Sequence, residues 1–315
     1  MASLDSPTGA KGVSLTADAL RRLLANRMAV ASLVILGLMF FLCFVGAWFC
    51  PDPDQQDLGN KFSGPSGAHW LGTDHLGRDF LSRILFGGQI SLLVGLIAAT
   101  ISLLIGVVYG GLSGYLGGKV DSLLMRIVDI LYALPFLLIV ILLKVVLDEN
   151  VVEVVKYLTE EWKWDKEQVT RFANIVPLFV AIGILGWLTM ARITRAQVLA
   201  MRDLEFVEAA RSLGLSHAII LFRHILPNIL GPIIIYTTLT IPSFILYEAS
   251  LSYLGLGVAA PDSSWGILLD DGANYMETNL QLLLLPGIAF SITLFALNFL
   301  GDGLRDALDV KSSKD

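Results

Sequence analysis

The 315 residues are 55% hydrophobic and only 16% charged, with a mean hydropathy of +0.70, whereas an average soluble domain carries roughly 25% charged residues. This composition excludes an ordinary water-soluble domain. The net charge of −6 points to no particular partner, because charge in a membrane protein acts loop by loop.

The chain opens with a polar stretch of 28 residues that holds Lys11, Arg21, Arg22 and Arg27, followed by an apolar run over 29–49. A signal peptide would have an apolar region of about 7 to 15 residues with small residues behind it. This run is longer and ends in Trp48, Phe49 and Cys50, so it is expected to be a retained first span with its amino end in the cytoplasm. Cys43 and Cys50 would stand about 10 Å apart along one helix, beyond disulfide reach, and are expected to be apolar packing residues.

Further apolar runs approach or exceed the roughly 20 residues that cross a bilayer, at 86–113, 127–147, 174–191, 225–247 and 283–300. The fold class is therefore all-α, a polytopic membrane protein of about six spans. An even number returns both termini to one side. With the amino terminus inside, the cytoplasmic segments hold Lys11, Arg21, Arg22, Arg27, Lys119, Arg126, Arg192, Arg195, Arg202, Arg211, Arg223, Arg305, Lys311 and Lys314, fourteen of the 22 basic residues. That distribution follows the positive-inside rule.

The segments are thus a cytoplasmic stretch 1–28, a first transmembrane helix 29–49, an external loop 50–85, a core of five helices over 86–304 and a cytoplasmic tail 305–315. Within the core, residues 148–173 read as an external insertion. It carries Lys156, Lys163, Lys166 and Arg171 among several acids, and its spacing predicts a short amphipathic helix outside the bilayer. Residues 192–224 read as a cytoplasmic segment.

In the second span Gly106, Gly110, Gly114 and Gly118 recur every four residues, which lines one helix face and lets another backbone approach closely. A phosphate-cradling loop fails at Gly118-Lys119: the first glycine of G-x-x-x-x-G-K-[ST] falls on Ser113 and its final Ser/Thr on Val120. The histidines, His69, His75, His217 and His224, show no H-E-x-x-H pairing, and no metal site is expected. No enzyme motif such as G-x-S-x-G falls in the spans, so no catalytic residues are expected. Any ATP must be bound by another subunit.

Residues 192–227 are the most informative stretch. From Leu204 to Leu213 apolar and polar positions mix at helical spacing, Gly214 suits the position after a helix end, and Ser216 can cap the next helix. A helix, tight turn and helix between two spans is a lever that a soluble partner can grip. An ordinary amphipathic loop helix remains the alternative.

These residues resemble the inner-membrane permease subunits of ABC importers, whose hallmark is E-A-A, three residues, G, nine residues, then I-x-L-P. Glu208-Ala209-Ala210, Gly214 and Leu226-Pro227 match it, while His224 holds the isoleucine position with Ile225 beside it. The resemblance implies a coupling helix over Glu208 to Gly214 that docks on an ATPase subunit, with Leu226-Pro227 starting the next span.

Leu71-Gly72-Thr73-Asp74-His75-Leu76-Gly77-Arg78-Asp79, Ser91-Leu92-Leu93-Val94-Gly95, Leu251 to Gly257, Ser264-Trp265-Gly266 and Gly301 to Asp309 look like the oligopeptide, dipeptide and nickel group, specifically its second, C-type permease. Gln89 and Val310 depart from that pattern. The resemblance spans about residues 20 to 311. It implies a heterodimer with a second permease, two ATP-binding cassette subunits carrying ATP and Mg, an extracytoplasmic solute-binding protein, no nucleic acid, and a place in the bacterial inner membrane. Peptide is the expected cargo, with nickel or a sugar as the alternative. An ion-coupled secondary transporter would show intramembrane ionisable residues and internal repeats; few of the former and no clear repeat occur.

Glu248, near the outer end of the fifth span, is either an intramembrane functional site or a carboxylate held by hydrogen bonds from the following loop. Arg126 and Asp129 are spaced to pair on one helix face. Pro135, Pro232 and Pro242 interrupt apolar runs and can kink a helix.

Overall fold

A computed structural model describes residues 15–160 and 163–308. The basic residues Lys11, Lys311 and Lys314, Val310 and most of the tail 305–315 lie outside the described residues. Among those described, the regular structure is all helix, apart from an isolated bridge between Thr73 and Asp79.

The elements are α1 (Leu15–Ala25), α2 (Arg27–Phe44), α3 (Phe80–Leu116), α4 (Gly118–Tyr132), α5 (Phe136–Glu160), α6 (Lys166–Met201), α7 (Glu205–Ser212), a short α8 (His217–Ile219), α9 (Leu230–Tyr253), α10 (Trp265–Asn274) and α11 (Gln281–Leu308). Local sequence sets several starts. The Asn26 side chain accepts from the backbone N–H of Met28 and Ala29, and Asp79 accepts from Ser82, each satisfying amides that open a helix.

Five stretches are long and apolar enough to cross a membrane: Arg27–Phe49, Phe80–Leu116, Ala173–Met201, His217–Tyr253 and Gln281–Leu308. The expected third span, 127–147, is not one straight helix. It is divided between α4 and α5, which meet at a 90° bend across residues 133–135. Pro135 explains the break, since it lacks an N–H and disfavours helical geometry in the residue before it. The bent pair still crosses. Gly106 of α3 faces Met190 of α6, and Gly114 faces Val198, so α3 and α6 run parallel and the chain between them must traverse the bilayer to restart.

The expected free-standing helix in 148–173 is also corrected. Its first part prolongs α5 to Glu160 and its last part opens α6 at Lys166, because the helical periodicity of the flanking spans continues into the charged residues without a breaker.

α3 is the central pillar, packed on α6 and α9, while α2 lies along α11 and α1 folds back on the end of α11 through Leu23, Leu304 and Ala307. Three members of the glycine stripe work as expected. A Cβ at Gly110 would overlap the Ala191 carbonyl, and at Gly106 and Gly114 it would press on Met190 and on Arg195 and Val198. Gly118 has open space and φ +56°; it serves the α3–α4 turn. Elsewhere Leu33, Val34, Leu38 and Phe41 of α2 and Ile288, Ile292 and Phe295 of α11 are exposed, as a lipid-facing surface requires.

Both described ends of the chain lie at the same end of the bundle as α7. Ala29 meets Gly303 there, whereas Cys43 meets Gly88 at the opposite end, where α3 begins. Cys43 and Cys50 are both free and belong to an apolar cluster with Trp265 and Phe80.

Candidate coupling site

The segment after α6 is built from its own chemistry. Glu205 and Glu208 occupy the first turn of α7 and Arg211 its last, the arrangement a helix dipole favours. Gly214, with φ +78°, lets the chain reverse: its N–H donates to the Arg211 carbonyl at 2.9 Å and the Leu215 N–H donates to the Ala210 carbonyl at 3.3 Å. This pair of bonds is a Schellman ending, which satisfies carbonyls a helix would otherwise leave open. Ser216 then accepts from the Ile219 N–H at 3.4 Å and starts α8.

The two faces of α7 differ. Val207 and Ala210 are buried with Tyr115 of α3, Val198 of α6, and Ile220, Leu221 and Ile225 beyond the turn. Glu208, Ala209 and Gly214 are exposed, and so are Phe206 and Leu213, the latter at 80%. Two polar contacts reinforce the buried side. The Tyr115 hydroxyl lies 3.0 Å from His217 Nδ1, and the Arg211 guanidinium lies over the Tyr115 ring at 5.7 Å. Arg202 donates to the Gly114 carbonyl at 3.1 Å. A push on α7 is therefore delivered to the ends of α3 and α6 together.

The resemblance places the start of the next span at Leu226-Pro227; the continuous helical path instead begins earlier, at His217. A wide π-type stretch, Ile220–Ile225, leads into a tight 3-10 turn, Leu226–Ile229, and then α9. Pro227 offers no N–H, so the turns around it change width to keep the backbone bonded. Leu226 is buried and Pro227 exposed; His224 is partly exposed beside the fully buried Ile225.

Around this site the ends of the spans nearest α7 are tied by ions. Asp121 of α4 accepts from Arg195 Nε and Nη2, both at 2.5 Å, and from Ser113 at 2.6 Å. Asp129 does not pair with Arg126; it binds Arg192 of α6 at 2.7 Å, and the Arg192 guanidinium stacks on the Tyr132 ring at 4.2 Å. A planar guanidinium satisfies carboxylate and ring at once, which an intrahelical partner on the α4 surface would not.

Glu248 lies far from this site, toward the opposite end of the bundle, and is fully buried. It accepts from Ser252 at 2.6 Å and from Ser91 of α3 at 3.1 Å, and Ser264, just before α10, also hydrogen-bonds the carboxylate; residues that follow the expected span thus help to hold it, one of the two roles the sequence offered, together with α3. Ser91 Oγ in turn accepts from the Trp265 N–H at 3.1 Å, and Trp265 Nε1 donates to the Ile84 carbonyl at 3.0 Å. The carboxylate thus joins α3, α9 and α10.

The structure adds a cluster whose roles the sequence did not assign. Asp74 accepts from the backbone N–H groups of Leu76 and Arg78, from Arg78 Nε at 2.7 Å and from Arg83 Nη1 at 2.8 Å. Asp79 accepts from Ser82 Oγ and lies 2.9 Å from His69 Nδ1. The motif around Gly72 and Gly77 is a knot at the start of α3, and the alternation of Asp with Arg four and nine residues later was its available signal. Burial pushes the Asp271 carboxyl above the usual carboxylate range, while His75 and Arg78 pull it back. Arg83 lies 3.8 Å from Asp271 but is engaged by Asp74 at 2.8 Å, so burial prevails. Among the described residues no three His, Cys, Asp or Glu side chains gather to hold a metal.

Residues 102–314 match the family described as binding-protein-dependent transport system inner membrane component, and residues 14–65 match the N-terminal TM domain of oligopeptide transport permease C. The chain is 45% identical to the oligopeptide transport system permease protein OppC of Haemophilus influenzae, over 96% of this chain and 90% of that protein. It is 47% identical to the OppC of Salmonella typhimurium, over 96% and 93%. Similarity to the dipeptide transport system permease protein DppC of Bacillus subtilis is 41%, over 95% and 87%.

Proposed function

The chain belongs to the family of binding-protein-dependent transport system inner membrane components, and from that membership we propose that it forms one half of the membrane pore of an ATP-driven importer of peptides. The peptide cargo is supported by the relatives, which are named as oligopeptide and dipeptide permeases. Its partners are a second, related permease, two ATPase subunits that bind ATP and Mg, and a solute-binding protein on the outside. It sits in the bacterial inner membrane with α7 and both termini in the cytoplasm.

The observation that carries the reading is the two-sidedness of α7. Its outer face, with Glu208, Ala209 and the turn at Gly214, is exposed, while its inner face is fixed to α3 and α6. Nucleotide-driven closure of the ATPase pair moves the docked α7. The rigid links through Val207, Ala210 and Tyr115 pass that movement to two parallel spans, and the permease halves tilt to open the path on the other side. Leu226 belongs to the same buried cluster, so the turn at Pro227 carries the movement into α9.

The test is Glu208→Arg in the assembled complex. Glu208 is exposed, so the fold and membrane insertion are retained; the expected result is that the ATPase subunits no longer co-purify and ATP-dependent peptide uptake is lost. Uptake at the parental rate would overturn this assignment of the docking element.

A further inference from the structure

A cavity of about 330 Å³ lies between α4, α5, α6 and α9, at the bend between the first two. Its polar lining is made of hydroxyls: Tyr132, Thr189, Thr240, Ser243 and Tyr247, with Phe136 beside them and no Asp, Glu, Lys, Arg or His among its lining residues. It is at mid-depth. Thr189 is twelve residues before the end of α6 and Ser243 ten before the end of α9, or about 18 and 15 Å along their axes.

Three features indicate that this surface meets water and not lipid. The first is the break itself. Residues 133–135 are exposed, the end of α4 and the start of α5 leave backbone groups without intrahelical partners, and such irregular backbone is tolerated at membrane depth only inside protein or along a water-filled cavity. The second is the ion pair one turn nearer the cytoplasm, where the Asp129 and Arg192 side chains are 59% and 42% exposed; charges at such depth face a bundle interior or an aqueous cavity. The third is contrast: the comparable hollow between α3 and α9 is lined mainly by Leu104, Val108, Phe222, Leu230 and Ile234, as a lipid-facing surface would be.

We propose that this cavity is a mid-membrane station of the solute path, in which hydroxyl groups hold the amide backbone of a peptide in transit. The proposal rests on the importer reading above. A hydroxyl both donates and accepts, so a ring of them can meet the N–H and C=O groups that every peptide carries. The lack of charged lining residues leaves the station indifferent to the charge of the peptide's side chains, and the rings of Tyr132, Phe136 and Tyr247 offer apolar faces to whichever side chain arrives.

The test uses the complete importer in proteoliposomes, with Cys43→Ala and Cys50→Ala as the parent and either Ser243→Cys or Ile292→Cys added. Ile292 lies on the exposed apolar face of α11 and reports lipid. The thiolate, which forms in water and not in hydrocarbon, attacks the sulfenyl sulfur of a charged methanethiosulfonate reagent, forming a mixed disulfide and releasing methanesulfinate, so Ser243→Cys is expected to react on the order of tenfold faster than Ile292→Cys. Its modification stops uptake, and trialanine slows the modification while its N-methylated analogue does not. An unreactive Ser243→Cys in an assembly that still imports peptide overturns the proposal, as does labelling that trialanine leaves unchanged. Absence of ATP-dependent uptake in the importer with both cysteines in place overturns the importer reading, whatever the labelling pattern.

Discussion

Ser91 of α3 donates a hydrogen bond to the fully buried carboxylate of Glu248 in α9, 157 positions later in the chain, at 3.1 Å. The same hydroxyl accepts from the Trp265 backbone, so one serine locks three helices. This geometry makes Glu248 a structural joint. Glu248→Ala leaves the hydroxyls of Ser91 and Ser252 without their acceptor, at a cost of about 1–3 kcal/mol each. The expected outcome is a lower thermal midpoint of the detergent-solubilised protein with an unchanged ratio of ATP hydrolysed to peptide imported. Loss of transport without loss of stability would instead make Glu248 part of the transport chemistry.

Gly110 and Gly111 are neighbours with opposite prospects. A Cβ at Gly110 would overlap the Ala191 backbone, whereas at Gly111 it would meet Leu226 at an ordinary 3.7 Å. Gly110→Ala therefore forces α3 and α6 apart, an overpacking cost of about 1–3 kcal/mol. Gly111→Ala is neutral or slightly stabilising, because alanine is the better helix former by about 1 kcal/mol. Parallel melting curves of the two variants check this; equal midpoints would mean that the α3–α6 seam can open freely.

Tyr115 connects the end of α3 to α8 through His217 and to α7 through its ring. Tyr115→Phe removes one hydrogen bond, worth about 0.5–1.5 kcal/mol, and keeps the ring packing, so peptide-stimulated ATP hydrolysis is expected to persist. Tyr115→Ala removes the packing as well. Its expected signature is basal ATP hydrolysis that continues while stimulation by peptide and binding protein is lost, read by the ratio of the two rates.

Asp271 gives the end of the bundle where α3 begins a pH dependence. Its carboxyl is held above the usual range by burial, with Asp74 adding to the effect and His75 and Arg78 opposing it. A carboxyl raised in the folded state favours folding when protonated, so its contribution is present at low pH and is lost as pH rises through the folded value. The side chain is 34% exposed, and solvent screening keeps the effect small. Asp271→Asn is expected to raise the thermal midpoint at pH 7 and to flatten its change between pH 5 and pH 7. A profile identical to the parent's would show that Arg83 compensates the charge.

The sequence alone was enough for five of the six expected spans and for the helix, turn and helix around Gly214, because each is written in local terms: a run of apolar residues, or a glycine where the turn needs φ +78°. The glycine stripe of α3 was equally legible, since a four-residue interval fixes a helix face without reference to the partner. The family followed from motifs spread over most of the chain.

Tertiary structure alone decided which residues meet. Arg192 and not Arg126 pairs with Asp129, Ser91 reaches Glu248, and α4 and α5 bend apart at Pro135 to open a hydroxyl-lined hollow. Periodicity along one chain specifies the face of a helix but not the helix that faces it. The partner is chosen by the joint packing of spans that lie far apart in sequence, and in a bilayer, where every exposed side is apolar, hydropathy gives no further hint of which side that is.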